Sequence, residues 1–188
     1  CFYYREDHES EEIDGEAFLE GLKILKERHN IMSMGWCGGE PLYRREVVER
    51  GTKLFGMNQL FTNGTLPIPE IPGLIPFVSL DGTREVHDLV RGRGSYDKTM
   101  TNIRGSPIGH VVFQSTFHRM NETCLEEMVE ELRRIERPSV SFLVLLFTPL
   151  IAYKKVRGYK HTDTQKEVLD FTWEERDRFL DRLIAVKK

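Results

Sequence analysis

Residues 34–44 read MGWCGGEPLYR. An apolar run closes at Trp36 and meets Cys37, two glycines, a glutamate and a proline. The run has the content of a short strand, and Pro41 ends it in a position suited to opening a helix. Gly38 and Gly39 let the backbone come close to a ligand and offer unobstructed N–H and C=O groups. Glu40 adds a fixed anion, suited to a cationic group such as an ammonium. A plain strand-to-helix turn with an exposed glutamate fits the same letters, so the neighbouring segments have to arbitrate.

Upstream, Asp14 to His29 reads as a helix that Asp14 caps, with Phe18, Leu22 and Leu25 at helical spacing. IMSMGW (31–36) is the strand. RREVVERGTKLFG (44–56) reads as an amphipathic helix stopped by Gly56 in the left-handed conformation. MNQLFTNG (57–64) is a strand closing on a turn. TLPIPEIPG carries three prolines and is not helical. LIPFVSLDG (74–82) is the next strand, with its usable part expected after Pro76. SYDKTMTNIRG is a helix ending at Gly105, and HVVFQSTFHRMN (110–121) a strand whose Asn121 caps the next helix. TCLEEMVEELRRIE reads as that helix, with a Thr123–Glu126 capping box. SVSFLVLLFTP is a buried strand, YKKVRGYKHTDTQKE a basic polar loop, and Thr172 with Glu175 opens a last helix.

Strands and helices alternate about six times, and the strands are mostly continuous apolar runs. That pattern marks parallel strands covered by helices, an α/β fold. Ligands in such folds sit at the carboxyl ends of strands. Here those ends carry Gly38-Gly39-Glu40, Thr62-Asn63-Gly64, Ser79 with Asp81-Gly82, and Gln114-Ser115-Thr116. Gln114 and Thr116 alternate with Ser115, so the two sets face opposite sides of the sheet.

Size and charge narrow the class. The 188 residues suffice for one core: 1–150 reads as the core and 151–188 as a polar loop leading into a helical extension. A net charge of -3 gives no nucleic-acid-binding field. No apolar run reaches the roughly 18 residues of a spanning helix, and no secretory core sits at the N-terminus. Cys1, Cys37 and Cys124 are odd in number and widely spaced, which argues against a disulfide framework and for a reducing, cytoplasmic setting. Cys37 and Cys124 read as small packing residues. A start on Cys1 without methionine and an end inside a helical pattern read as a piece of a longer chain.

Taken in order, GWCGGEPLYR, FTNGT, VSLDGTREVHDLVRGRGSYDKTMTNIRG and FQSTFHRMN resemble the radical S-adenosylmethionine enzymes, most of all the branch with sulfatase-maturing and peptide-modifying members. The resemblance implies a partial (β/α)6 TIM-like barrel whose first strand is missing from this chain and whose third helix is shortened to the proline-rich segment. It implies a [4Fe-4S] cluster held by the family's C-x3-C-x2-C thiolates, of which Cys1, before FYYRE, matches the third. Thiolates suit such clusters because they are soft ligands. It implies that Gly38, Gly39, Glu40 and Pro41 bind the methionyl ammonium of S-adenosylmethionine, with Thr62 and Asn63 at the next strand end. Ser79 corresponds to a position contacting ribose or carboxylate, and Gln114 and Thr116 fall on the fifth strand. Arg91 and Arg93 either reach the methionyl carboxylate or are solvated loop charges. Asp81 either caps the turn at Gly82 or faces substrate, and Tyr3 and Tyr4 pack near adenine or at the start of the first helix. His87 and His118 are candidate acids by type.

The implied reaction is reductive cleavage of S-adenosylmethionine to a 5′-deoxyadenosyl radical that abstracts hydrogen from a peptide, lipid or small metabolite. The electron would come from a donor such as ferredoxin or flavodoxin. VRGYKHTDT either meets an acidic or phosphorylated substrate or is a solvated linker. Two other classes fit less of the chain: a cluster-free phosphate-binding barrel, for which no phosphate-loop signature is present, and a non-catalytic barrel that binds a small ligand.

Overall fold

Asp14 caps the first helix of the described residues, as expected. Its carboxylate accepts from the amides of Glu16 (2.9 Å) and Ala17 (3.2 Å) and so caps helix α1, Gly15–His29. The helix stops where Asn30 turns left-handed, at φ 52°, and returns its N–H to Lys26. The computed structural model describes residues 12–136, 139–146 and 171–187. Cys1, Tyr3, Tyr4 and the basic loop of 153–167 lie outside the described residues.

Among the described residues five strands form one sheet: β1 Ser33–Trp36, β2 Met57–Thr62, β3 Leu74–Ser79, β4 His110–Phe117 and β5 Ser139–Leu146. All pairings are parallel and the order is β1-β2-β3-β4-β5. Chain order and spatial order coincide, so the sheet never reverses its winding, and right-handed crossovers then keep the helices on one side. The helices are α2 Arg45–Gly51, α3 Arg84–Arg91, α4 Ser95–Gly105, α5 Leu125–Arg133 and α6 Trp173–Lys187. Leu60, Val78, Phe113 and Phe117 of the strands join Val48, Met100, Ile103, Leu125 and Met128 of the helices in one buried cluster. Phe61, Ile75, Phe77, Gln114 and Thr116, alternate residues of the same strands, are only half-buried. The strands therefore alternate in burial although they read as continuous apolar runs, because the described helices cover a single face.

Several local expectations change. The 44–56 helix shortens to α2, flanked by single 3-10 turns at Pro41–Arg44 and Thr52–Leu54, and Gly56 is not left-handed. Gly51 ends α2 under the Trp36 indole, where any Cβ would collide with the ring. Leu25 is exposed and Leu19 takes its place in the core. Pro76 lies inside β3, opposite Leu60, because the β4 ladder starts only at Phe77. At Pro76 the strand is thus paired on one side, a position where a missing N–H is tolerated. Residues 84–91, which sequence reading leaves unassigned, form α3. No helix fills 63–73, as the prolines require. Among the described residues no helix is long and apolar enough to cross a membrane.

Candidate functional site

Beyond Trp36 the chain leaves β1 through Cys37, Gly38 and Gly39, all exposed, and sinks again at Glu40. Glu40 caps the Pro41–Arg44 turn, its Oε1 accepting from the Leu42 amide at 3.2 Å. The same Oε1 accepts from the Thr62 hydroxyl at 2.8 Å, and Oε2 from the Asn63 amide at 2.8 Å. One carboxylate thus ties the end of β1 to the end of β2. A carboxylate offers about four acceptor positions; Oε1 has two in use and Oε2 one. No cation of the described residues forms an ion pair with Glu40, although the residue is 8% exposed.

The loop that meets Glu40 is held rigidly. Thr62 Oγ1 accepts from the Gly64 amide at 3.0 Å, and Asn63 Oδ1 accepts from both the amide and the hydroxyl of Thr65. From α4, Thr99 Oγ1 donates to the Asn63 carbonyl and Asn102 Nδ2 to the Gly64 carbonyl. Gly64 has φ +74°, and a Cβ there would come within 2.8 Å of both Thr99 and Val78. Only glycine meets both demands.

A cavity of about 390 Å³ opens against this corner. Its wall includes Gly38, Gly39, Glu40, Pro41 and Asn63 from the strand ends, and Phe18, Arg44 and Val47 from the helices. A Cβ on Gly38 would meet nothing within 4 Å, so that glycine faces open space. Cys37 also lines the cavity and is exposed, contrary to its reading as a packing residue. Cys124 is buried, its sulfur 3.8 Å from the Thr83 hydroxyl.

Ser79, Arg91, Gln114 and Thr116 do not line that cavity. Two of them, Arg91 and Thr116, meet at Asp81, beyond the end of β3. Asp81 Oδ2 accepts from Arg91 Nε at 2.6 Å, and Oδ1 from the Thr116 amide at 3.1 Å. The Asp81 side chain is 6% exposed and that of Arg91 31%. Asp81 is therefore a hub between β3, α3 and β4. Its amide donates to His87 Nδ1 at 3.2 Å, which puts the ring proton on Nε2, and among the described residues Nε2 has no hydrogen-bond partner. Burial first, and then the nearby Arg91 cation, push the His87 pKa down to about 4. Burial also lowers His118, whose Nδ1 accepts from the Met120 amide. Asn121 stands at the start of the 3-10 turn Glu122–Cys124, but its side chain makes no capping bond there. Fully buried, it donates to the carbonyls of Asp81 (2.8 Å) and Thr116 (3.0 Å) and accepts from the His118 amide (2.8 Å). Ser79 is half-buried and pairs in register with Gln114.

Sequence reading placed the strand ends on one rim but missed the helix-borne wall of Phe18, Arg44 and Val47, and the hub at Asp81. Helical periodicity does not say which neighbour a face meets. Among the described residues no group of three His, Cys, Asp or Glu side chains is placed to hold a metal. Compared with known proteins, the chain matches no family model and no curated protein.

Proposed function

We propose that this chain is the core of a radical S-adenosylmethionine enzyme, a partial (β/α) barrel that binds S-adenosylmethionine at the ends of β1 and β2. The observation that carries the reading is Glu40: a buried carboxylate with no cationic partner among the described residues and one acceptor position open on Oε2, at the wall of a cavity. A buried anion left without a counter-charge is costly, and an ammonium supplied by a ligand removes that cost. At about 390 Å³ the cavity is within the usual range for sites that enclose a small molecule, about 300–1,000 Å³. Gly38 and Gly39 leave the backbone accessible beside it. Thr62 acts behind Glu40, fixing the carboxylate, and the Asn63 amide holds Oε2 in place.

Together with an iron–sulfur cluster to which Cys1 contributes a thiolate, bound S-adenosylmethionine would supply a 5′-deoxyadenosyl radical for hydrogen abstraction from a peptide, lipid or metabolite. The protein's own share is to hold the amino-acid end of the cofactor, to orient it from rigid strand ends and to exclude water.

The full-length protein, reconstituted anaerobically with iron and sulfide, tests the reading in two steps. Equilibrium binding of S-adenosylmethionine is measured for wild type and for Glu40→Gln, which keeps the shape and removes the charge. Wild type binds, and the variant binds at least about tenfold more weakly, the weight of one charge-assisted hydrogen bond. With dithionite, wild type then yields 5′-deoxyadenosine and Cys1→Ala does not. Absence of binding by wild type removes the cofactor from this site. Binding with no cleavage by a protein that holds an intact cluster favours the non-catalytic barrel.

A further inference from the structure

Glu40 is aimed by the loop after β2, and that loop is held in turn by α4. The ladder between β2 and β3 ends at Thr62 opposite Val78, so the carbonyls of Asn63 and Gly64 lie past the last strand partner. A carbonyl taken out of water needs a donor, and α4 supplies both. Thr99 Oγ1 donates to the Asn63 carbonyl at 3.0 Å and Asn102 Nδ2 to the Gly64 carbonyl at 2.9 Å. The two residues are three apart and share one face of the helix. Thr99 is fully buried, and its methyl group fills the space that a Cβ on Gly64 would need.

Helix α4 is anchored independently of the cavity, whose wall contains none of its residues. Asp88 accepts from the amides of Gly94 and Tyr96 at its start, Tyr96 Oη donates to Glu131 of α5 at 2.6 Å, and Met100 and Ile103 lie in the core. On its other side the same loop holds both oxygens of Glu40, Oε1 by the Thr62 hydroxyl and Oε2 by the Asn63 amide. Asn63 thus spans the two: its N–H meets Glu40 and its C=O meets Thr99. Without the α4 donors the peptide planes at 63 and 64 are free to rotate, and the Asn63 N–H turns away from Oε2.

We propose that Thr99 and Asn102 are positioning residues for the site: they touch no ligand, and act by fixing the loop that aims the Glu40 carboxylate. This rests on the cofactor reading above and adds to it a dependence on α4, an element outside the cavity.

The test uses full-length protein, reconstituted anaerobically, and two readouts taken well below every Tm. Dissociation constants for S-adenosylmethionine are measured for wild type, Thr99→Val, Thr99→Ser and Asn102→Leu, each also in the Glu40→Gln background. Hydrogen exchange at the Asn63 amide is followed on the same proteins without ligand. Thr99→Val and Asn102→Leu each weaken binding about three- to tenfold, the weight of one hydrogen bond, while Thr99→Ser keeps the donor and stays within about twofold. In the Glu40→Gln background the losses shrink below about twofold, because a residue acting through the Glu40 charge has nothing left to act on. Exchange at Asn63 quickens in Thr99→Val and Asn102→Leu and stays slow across α5. Losses of equal size in both backgrounds overturn the proposal. So does unchanged exchange at Asn63, or a Thr99→Ser that loses as much as Thr99→Val. Wild type that does not bind S-adenosylmethionine brings down the cofactor reading instead, and exchange at Asn63 still decides whether α4 holds the Glu40 loop.

Discussion

Glu40 and Asp81 are both carboxylates buried at strand ends, and their partners divide their work. Asp81 meets a guanidinium and an amide, so its charge is neutralised within the fold. Asp81→Ala strands Arg91 and the Thr116 amide. Because Arg91 remains partly in water, the expected loss is about 2 kcal/mol in urea unfolding rather than the full weight of a buried pair. Among the described residues Glu40 meets only neutral donors, and that difference separates a candidate ligand group from a structural one. Gly64→Ala forces a left-handed alanine into side chains it would touch within 2.8 Å, and should cost roughly 2–4 kcal/mol by the same measurement. A cost below about 1 kcal/mol would mean that the 63–65 loop relaxes freely. The sequence announced this corner correctly, since a glycine after Thr-Asn at a strand end states its own backbone demand. It carried no comparable signal for Asn121, whose three hydrogen bonds join backbone groups that come together only when β3 and β4 align.

Among the elements, two predicted helix starts had opposite outcomes. Thr172 and Glu175 exchange hydrogen bonds at the start of α6, the Thr172 amide to Glu175 Oε2 at 2.7 Å and the Glu175 amide to Thr172 Oγ1 at 3.2 Å. Thr123 and Glu126 do not, because Asn121 and the 3-10 turn Glu122–Cys124 start the segment earlier and leave Thr123 inside that turn. Helix α6 is held by Phe179, whose ring meets those of Phe117 (4.7 Å) and Phe171 (5.7 Å), and by Arg182 on Glu126. Phe179→Ala should cost about 3–5 kcal/mol. Hydrogen exchange should quicken across α6 well before β2 and β3, whose ladders do not depend on it. Uniform quickening would show that α6 and the sheet unfold as one unit. Asp88 accepts from the amides of Gly94 (2.6 Å) and Tyr96 (2.9 Å) at the start of α4, and these bonds hold its carboxyl below the usual range. Asp88→Ala should therefore lower Tm and fray α4, visible as faster exchange at Ser95 and Tyr96.

For the molecule as a whole, acid is the informative stress. His87 is buried and neutral, with its pKa pushed from 6.5 to about 4, so the unfolded chain takes up this proton first. Stability is intact above about pH 6.5, declines as pH falls toward about 4, and the loss is complete below that, at roughly 3 kcal/mol for this residue. His118 acts in the same direction. His87→Gln, with an amide oxygen for the Asp81 N–H, should flatten the fall in Tm between pH 7 and pH 4.5; parallel curves would locate the acid sensitivity elsewhere. The order of elements, the parallel sheet and the glycine-rich strand ends were determined by the sequence itself, because apolar runs, caps and prolines act over a few residues. Only the tertiary structure decided which strand faces were covered, that Arg44 shares a cavity with Glu40, and that Asp81 binds Arg91. Those relations depend on helix orientation and strand register, which join residues far apart in the chain and leave no local mark on it.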